Sequence, residues 1–215
     1  MIFRVKICGV RLHSDIEAVA AAGGDAIGLN FFPPSIRYVD PDDPRTQELS
    51  AAAAGLGLFR VGVFVNEAPA RIAEIADVVG LDAIQLHGDE TVESASQVSG
   101  RKLRAIKLPT GPLTVSQIDA ASRLWIEAGY HVLFDADAGA AHGGSGKTLD
   151  WNAIAAWASL NPSVAWTLAG GLTPDNLSDA IQASSATSVD TASGVESPKG
   201  TKSSELIQAF CSVGQ

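Results

Sequence analysis

Two side chains with acid–base chemistry each end an apolar run of the sequence. Cys8 closes VKIC and is followed directly by glycine, and Asp135 closes HVLFD. A thiolate is a nucleophile and a base, and a carboxylic acid can donate a proton. If the two groups flank one small substrate, they predict proton transfer at a carbon next to a C=N or C=O group. The second cysteine, Cys211, lies within an amphipathic segment and is interpreted as a small apolar filler.

Two glycine-rich turns near the end of the chain are typical of phosphate binding. LAGGLTPDN (168–176) contains Gly170 and Gly171, and DTASGVE (190–196) contains Ser193 and Gly194. Glycine lets a backbone N–H approach an anion closely. Read singly, either turn is equally consistent with an ordinary tight turn. Because both follow adjacent predicted strands, the phosphate interpretation is favoured.

Three further polar residues lie where apolar runs end or turn. His87 and Asp190 follow buried-looking strands, and Arg37 lies in the loop segment SIRYV (35–39). An arginine there is either solvated or holds a carboxylate in a bidentate pair. The four histidines show no H-E-x-x-H and no Cys/His spacing, so no metal site is predicted. GGSGK (143–147) lacks the spacing of a nucleotide-binding phosphate loop.

These residues are positioned by an alternation of apolar strands with alanine-rich helical segments. We predict strands at 3–8, 25–32, 60–66, 82–88, 102–109, 131–137, 164–171 and 187–194. We predict that each is followed by a helix, at 13–24, 45–57, 68–80, 90–100, 114–129, 149–160, 173–184 and 201–213. Eight such units predict one (β/α)₈ barrel domain over residues 1–215, with the site at the carboxyl ends of the strands. The rival, a doubly wound open sheet, is disfavoured because the first strand–helix turn lacks G-x-G-x-x-G.

Composition excludes several partners. The formal net charge of −9 argues against binding to nucleic acid or to an anionic membrane surface. The uncharged Ala/Gly-rich stretch LSAAAAGLGLF is shorter than the roughly 18 residues of a membrane span. Two cysteines form no disulfide framework and the start of the chain has no signal-peptide pattern, so a reducing, cytoplasmic location is expected. The expected partner is a small molecule.

Several motifs together resemble phosphoribosylanthranilate isomerase of tryptophan biosynthesis. The resemblance covers nearly the whole chain and rests on the order and spacing of VKICGV (5–10), DAIGLNFFPPSIRYV (25–39), VGVFVN (61–66), IQLHGDE (84–90), LFDA (133–136), GGSGKTLDW (143–151), LAGGLTPDN (168–176) and VDTASGVESPKGTK (189–202). It implies a (β/α)₈ isomerase without a cofactor. It further implies an Amadori rearrangement of N-(5-phosphoribosyl)anthranilate to the 1-deoxyribulose 5-phosphate product.

The resemblance also implies roles for individual residues. Cys8 would be the general base that removes the C2′ proton of the sugar, and Asp135 the general acid that protonates the ring oxygen. Arg37 would face the anthranilate carboxylate. The remaining expected contacts are His87 and Asp190 in the pocket, and Gly170, Gly171, Ser193 and Gly194 on the phosphate. Ala192 departs from the family, which often has a second serine there, so one phosphate contact would come from backbone alone.

Two alternatives remain at this point. The related sugar isomerase of histidine biosynthesis runs the same rearrangement on a substrate with two phosphates, but it places an aspartate where this chain has Cys8. A barrel that binds sugar phosphates without catalysis would also use the glycine-rich turns. The sequence leaves open whether the protein is a monomer or a dimer.

Overall fold

Eight parallel strands close into a barrel, and each strand pairs with the next one along the chain. The computed structural model describes residues 2–137 and 148–214. The strands are β1 Val5–Cys8, β2 Ala26–Asn30, β3 Phe59–Phe64, β4 Ala83–Leu86, β5 Lys102–Leu108, β6 His131–Ala136, β7 Trp166–Leu168 and β8 Val189–Thr191. Pairing of β1 with β8 closes the ring. The predicted (β/α)₈ barrel is confirmed.

Helices cover the outside of the barrel. In the described residues they are α1 His13–Ala21, α2 Pro44–Gly55, α3 Pro69–Val79, α4 Val115–Glu127, α5 Trp151–Leu160, α6 Leu177–Ser184 and α7 Ser204–Gly214, with a 3₁₀ helix at Ser193–Val195. Local signals set their ends. The side chains of Asp43, Thr114 and Asp150 cap the first turns of α2, α4 and α5. Gly80 ends α3 in a left-handed conformation at φ 72°.

Strand register decides which side chains face the barrel axis. Cys8 pairs with Gly28, and Lys107 pairs with Asp135. Paired residues on neighbouring parallel strands point to the same face, and the face alternates along each strand. Two apolar clusters fill the barrel below the carboxyl-end rim. One is formed by Phe3, Ala26, Val61, Ala83 and Leu103, and the other by Ala105, Leu133 and Ala169. On this inward face, Cys8, Lys107 and Asp135 therefore lie at the carboxyl-end rim.

The larger apolar core lies between the strands and the helices. Trp157 of α5 is fully buried, and its ring meets that of Phe134 on β6 edge to face with centroids 4.9 Å apart. Such pairs add to the stabilisation from apolar burial alone. This outer core holds the strand ends in fixed positions. No helix among residues 2–137 and 148–214 is long and apolar enough to cross a membrane.

The structure corrects three sequence predictions. Residues 90–100 form turns rather than a helix. Thr91 and Ser94 bond to each other's backbone as at a helix start, but the hydrogen bonds that follow span three residues instead of four. α6 begins at Leu177, four residues later than predicted, because Thr173 opens a turn that precedes the helix. β7 and β8 span only three residues each. The motif GGSGK (143–147) lies outside the described residues.

Candidate active site

Cys8 lies at the rim of the barrel on the last residue of β1. Its thiol is partly exposed and points over Gly28 of β2. A Cβ atom at position 28 would lie 2.7 Å from the Cys8 sulfur, well inside contact distance. Glycine at this inward-facing position therefore leaves the space that the thiol occupies.

Lys6 and Asp190 form a buried ion pair one layer below Cys8. The Lys6 side chain has no exposed surface, and its Nζ donates a hydrogen bond of 2.7 Å to Asp190 Oδ1. The pairing of Lys6 with Asp190 between β1 and β8 brings the two residues together. Because strand faces alternate, Lys6 points to the same side of β1 as Cys8. Burial lowers the pKa of Lys6, but the charges of Asp190 and Cys8 outweigh it, so the net direction is upward and the ammonium stays charged.

The Cys8 thiol has a pKa above its ordinary value. Burial raises it most, the ammonium of Lys6 lowers it, the carboxylate of Asp190 raises it, and Lys202 lowers it. The net direction is upward, which means that the thiol holds its proton at neutral pH. Formation of the thiolate therefore depends on the neighbouring cations.

Arg37 and Lys202 share one carboxylate, that of Glu196. Arg37 donates from Nε at 2.6 Å and from Nη2 at 2.7 Å to the two Glu196 oxygens, in a bidentate pair. Lys202 Nζ donates to Glu196 at 2.9 Å and to the carbonyl of Ala192 at 2.7 Å. No described residue accepts a hydrogen bond from Nη1 of Arg37. The guanidinium thus keeps donors for a second carboxylate.

Glu196 is ionised across the whole neutral and mildly acidic range. Burial raises its pKa, but hydrogen bonds from Arg37, the charge of Lys202 and the backbone N–H of Gly200 together bring it down to about 2. The Arg37 stem passes over Gly9, where a Cβ would lie 2.4 Å from the arginine Cδ. Gly9 has φ 74°, so both its backbone and its lack of a side chain are needed there.

Asp135 is the penultimate residue of β6, on the far side of the barrel from Cys8, and it contacts His87 of the loop after β4. His87 Nε2 lies 3.3 Å from Asp135 Oδ2, and its Nδ1 lies 3.2 Å from the side-chain nitrogen of Gln85. Gln85 is buried and faces the barrel axis two residues before His87, so it fixes the ring orientation. Lys107, the register partner of Asp135, is exposed at the same rim.

The two glycine-rich loops lie side by side above β7 and β8. Gly170 and Gly171 have φ 82° and 71°, and their N–H groups find no hydrogen-bond acceptor within the described part of the chain. Ser193 and Gly194 open the 3₁₀ helix, whose first N–H groups point out of its end. A Cβ on Gly194 would lie 1.9 Å from the Leu172 carbonyl, so glycine permits the close approach of the loops. Thr191 fastens them with a hydrogen bond of 2.7 Å to that carbonyl.

Comparisons with known proteins decide the family. A family model described as N-(5'phosphoribosyl)anthranilate (PRA) isomerase matches residues 5–213. An N-(5'-phosphoribosyl)anthranilate isomerase from Myxococcus xanthus is 41% identical over 210 residues, covering 98% of this chain and 95% of that protein. The chain belongs to the phosphoribosylanthranilate isomerase family.

Solved phosphoribosylanthranilate isomerases share the fold along the entire chain. The crystal structure from Thermotoga maritima is 31% identical, with a TM-score of 0.84 and coverage of 99% of this chain and 98% of that one. A phosphoribosyl anthranilate isomerase in complex with reduced 1-(o-carboxyphenylamino)-1-deoxyribulose 5-phosphate is 30% identical, with a TM-score of 0.79 and the same coverages. A third structure is titled as monomers generated from the dimeric Thermotoga maritima enzyme. The relatives therefore include both oligomeric states.

In this member of the phosphoribosylanthranilate isomerase family, the structure brings all the sequence-predicted site residues to one end of the barrel. It pairs His87 with Asp135, and it places Gly170 and Gly171 beside Ser193 and Gly194. It also gives two residues partners that the sequence analysis did not foresee, since Asp190 pairs with Lys6 and Arg37 with Glu196. Within residues 2–137 and 148–214, no group of three or more His, Cys, Asp or Glu side chains is arranged to hold a metal ion.

Sequence reasoning assigned no role to Lys6, Gln85 or Glu196. Strict alternation along β1 and β4 was the available signal for Lys6 and Gln85, because it places them on the faces of Cys8 and His87. For Glu196 no local signal existed. Its partners lie in a loop 159 residues earlier in the chain and in the following turn.

Proposed function

We propose that this protein catalyses the Amadori rearrangement of N-(5'-phosphoribosyl)anthranilate to 1-(2-carboxyphenylamino)-1-deoxyribulose 5-phosphate in tryptophan biosynthesis, with Cys8 as general base and Asp135 as general acid. The observation that carries the proposal is the position of these two groups. Cys8 lies on β1 and Asp135 on β6, three strands apart in one closed barrel, in a chain that belongs to the isomerase family.

One proton transfer by each group leads to the enolamine, and tautomerisation of the enolamine completes the reaction. Asp135 protonates the ring oxygen of the furanose, the bond from C1′ to that oxygen breaks, and the nitrogen lone pair forms a Schiff base with C1′. The positive nitrogen makes the C2′ proton acidic, and the Cys8 thiolate removes it. The resulting enolamine becomes the ketone when the C2′ hydroxyl loses its proton and C1′ gains one. The overall change is an isomerisation, and each group is used as an acid or a base.

The remaining predicted residues bind the two anionic ends of the substrate. The phosphate lies against the backbone N–H groups of Gly170, Gly171, Ser193 and Gly194 in this proposal, with the Ser193 hydroxyl as a further donor. Arg37 takes the anthranilate carboxylate through the donors that Glu196 leaves unused. His87 and Asp190 line the pocket between them. In the bound analogue of a relative, the same two ends, a carboxyphenylamino group and a 5-phosphate, are present.

The proposed setting is the cytoplasm, with a small molecule as the only required partner. Both cysteines are free thiols, which suits a reducing compartment. The proposal commits to no oligomeric state, because all the named groups belong to one barrel.

The test is turnover of freshly prepared N-(5'-phosphoribosyl)anthranilate, followed by loss of its fluorescence. We expect the unmodified protein to turn it over, and we expect Cys8→Ala and Asp135→Asn each to lose about 10²–10⁴ in kcat because an acid–base group is removed. Matched controls are Cys211→Ala, which changes the buried cysteine of α7, and Asp77→Asn, an exposed carboxylate on α3. Near-normal turnover in both rim variants would show that the roles are assigned wrongly. Turnover of the histidine-pathway substrate alone would replace the proposed reaction.

A further inference from the structure

Charged groups from four parts of the fold surround the sulfur of Cys8. Lys6 on β1 and Asp190 on β8 lie beneath it, Arg37 comes from the loop after β2, and Lys202 comes from the segment after β8. Glu196 joins the last two. We call Lys6, Arg37, Asp190, Glu196 and Lys202 the thiol cluster. All five side chains are largely shielded from water.

The thiol cluster carries an excess of positive charge when Cys8 is neutral. It has three cations and two carboxylates, and three minus two leaves a net charge of +1. The whole chain, by contrast, carries −9. Buried charges are stable when they are paired, so without a substrate carboxylate at Arg37 the cluster lacks one negative charge. A thiolate at Cys8 would supply it.

Hydrogen bonds show which cation is free to meet that thiolate. Arg37 and Lys202 direct their charge at Glu196. Lys6 donates one of its three N–H groups to Asp190 and has no exposed surface from which to reach water. Lys6 and Cys8 lie two residues apart on the same face of β1. The buried ammonium therefore keeps two N–H donors on the face of the strand that carries the sulfur.

We propose that Lys6 is the positioning residue of the base: its buried ammonium, anchored by Asp190, holds Cys8 as a thiolate once the proton leaves. The inference deepens the proposed function, since the base role of Cys8 rests on that proposal. Asp190 then has two effects of opposite sense. It keeps Lys6 charged and in place, and its own negative charge opposes the thiolate.

Lys6 and Asp190 should shift the pKa of the Cys8 thiol in opposite directions, because their charges have opposite signs. Lys6→Met removes the stabilising cation and keeps a long unbranched side chain, so the thiol pKa should rise. Asp190→Asn removes the opposing anion and keeps the shape, so the thiol pKa should fall. If the Lys6–Asp190 pair had only a structural role, both variants would be less stable, but the pKa of the Cys8 thiol would not shift in opposite directions.

The experiment titrates Cys8 directly, without substrate. In a Cys211→Ala background Cys8 is the single thiol, and its ionisation is followed by thiolate ultraviolet absorbance and by the rate of iodoacetamide alkylation against pH. We expect shifts of about one to three pH units, upward for Lys6→Met and downward for Asp190→Asn. At a fixed pH below the midpoint, each unit changes the alkylation rate by about tenfold through the thiolate fraction. Titrations that do not move, or that move the same way, overturn the inference.

Two further measurements keep the test decisive. The double variant Lys6→Met/Asp190→Asn removes the pair as a unit and leaves no unpaired buried charge; its midpoint should fall between those of the single variants. If Lys6→Met does not fold, Asp190→Asn and the double variant carry the comparison, and an unchanged midpoint in both overturns the inference. The pH profile of kcat/KM is then recorded for the same proteins. If titration midpoints shift as expected but the rate profiles do not follow, Lys6 tunes the thiol and the base role of Cys8 is wrong.

Discussion

The chemistry of Cys8 depends on what lies within one side chain of its sulfur. The buried ammonium of Lys6 lies below the sulfur, and the loop cations Arg37 and Lys202 lie beside it. On the neighbouring strand β2, Gly28 has no side chain. The absence of a Cβ at Gly28 is as important as the charges, because the thiol occupies the volume that a methyl group would take. Cys8 is thus positioned by packing as well as by electrostatics.

At this residue scale, Gly28→Ala should reduce activity through displacement of the thiol. An added methyl carbon 2.7 Å from Sγ must push the sulfur away from its position, and a shift of that size in a catalytic group lowers kcat by about 10–100-fold. The measurement is kcat and KM with the fluorescence assay at a temperature where the variant is folded. Gly55→Ala is the control, because nothing lies within 4 Å of a Cβ at that helical position and the change should leave activity intact. Unchanged kcat in Gly28→Ala would show that the thiol position is not critical.

Two loops at the barrel mouth are joined through one buried carboxylate. Glu196, in the segment that follows β8, receives Arg37 from the loop after β2, and the backbone N–H of Gly200 donates to it at 2.8 Å. Arg11 adds a hydrogen bond of 2.7 Å to the carbonyl of Gly200. These contacts hold the mouth of β1, β2 and β8 together as one unit. The strength of the unit depends on Glu196 staying ionised.

At the element scale, Glu196→Gln should lower the free energy of unfolding at pH 7 by about 3 kcal/mol. That figure is the value of a carboxyl pKa lowered from 4.5 to about 2. The folded pKa is the lower one, so the stabilisation is complete above about pH 4.5 and disappears as the pH falls towards 2. Urea unfolding of both proteins between pH 7 and 3 measures the difference, which should shrink below pH 4.5.

The control for this prediction is an exposed ion pair. Glu74 pairs with Arg71 on the surface of α3, and both side chains are open to solvent. Glu74→Gln should change the unfolding free energy too little to resolve, because solvent screens exposed pairs. A Glu196→Gln difference that stays constant from pH 7 to 3 would mean that the carboxylate charge does not stabilise the loops.

The opposite end of the barrel contributes to the pH dependence of the whole molecule. His131, the first residue of β6, is buried and hydrogen-bonds through Nε2 to Thr167 at 2.7 Å, and Thr167 contacts Ser188 at 2.8 Å. Burial lowers the pKa of His131 from 6.5 to about 4. The histidine is therefore neutral inside the folded barrel at pH values where it is charged in the unfolded chain. In barrels of this type the amino-terminal end of the strands serves stability rather than catalysis.

For the whole molecule, we expect stability to fall as the pH drops below 6.5, because of the buried His131. Between pH 6.5 and 4 the unfolded chain binds a proton at His131 that the folded protein does not, so about 3 kcal/mol is lost as the pH falls through this window. His131→Gln retains a hydrogen-bonding group without the titration, and its stability should fall less over the same range. Parallel pH dependence in the two proteins would contradict the role of His131. Thermal or urea unfolding at several pH values provides the measurement.

Much of the architecture was predictable because local patterns reflect it. Apolar runs alternating with alanine-rich segments predicted eight strands and the barrel, and the helix predicted from residue 114 begins one residue later, at Val115. The predicted helix at 90–100 was wrong because the backbone hydrogen bonds after its first turn close three-residue turns instead of a helical ladder. The fold, the family and the isomerase assignment are confirmed, and the roles of Cys8 and Asp135 remain proposals.

By itself, the sequence determined which residues stand at the strand ends and which family they belong to, because strand periodicity and motif order are properties of the linear chain. Only the tertiary structure decided the partners. Lys6 meets Asp190 across 184 residues of chain, and Arg37 meets Glu196 across 159. Closure of the barrel brings these residues together. Their electrostatic energy depends on distance and burial in space rather than on separation along the sequence.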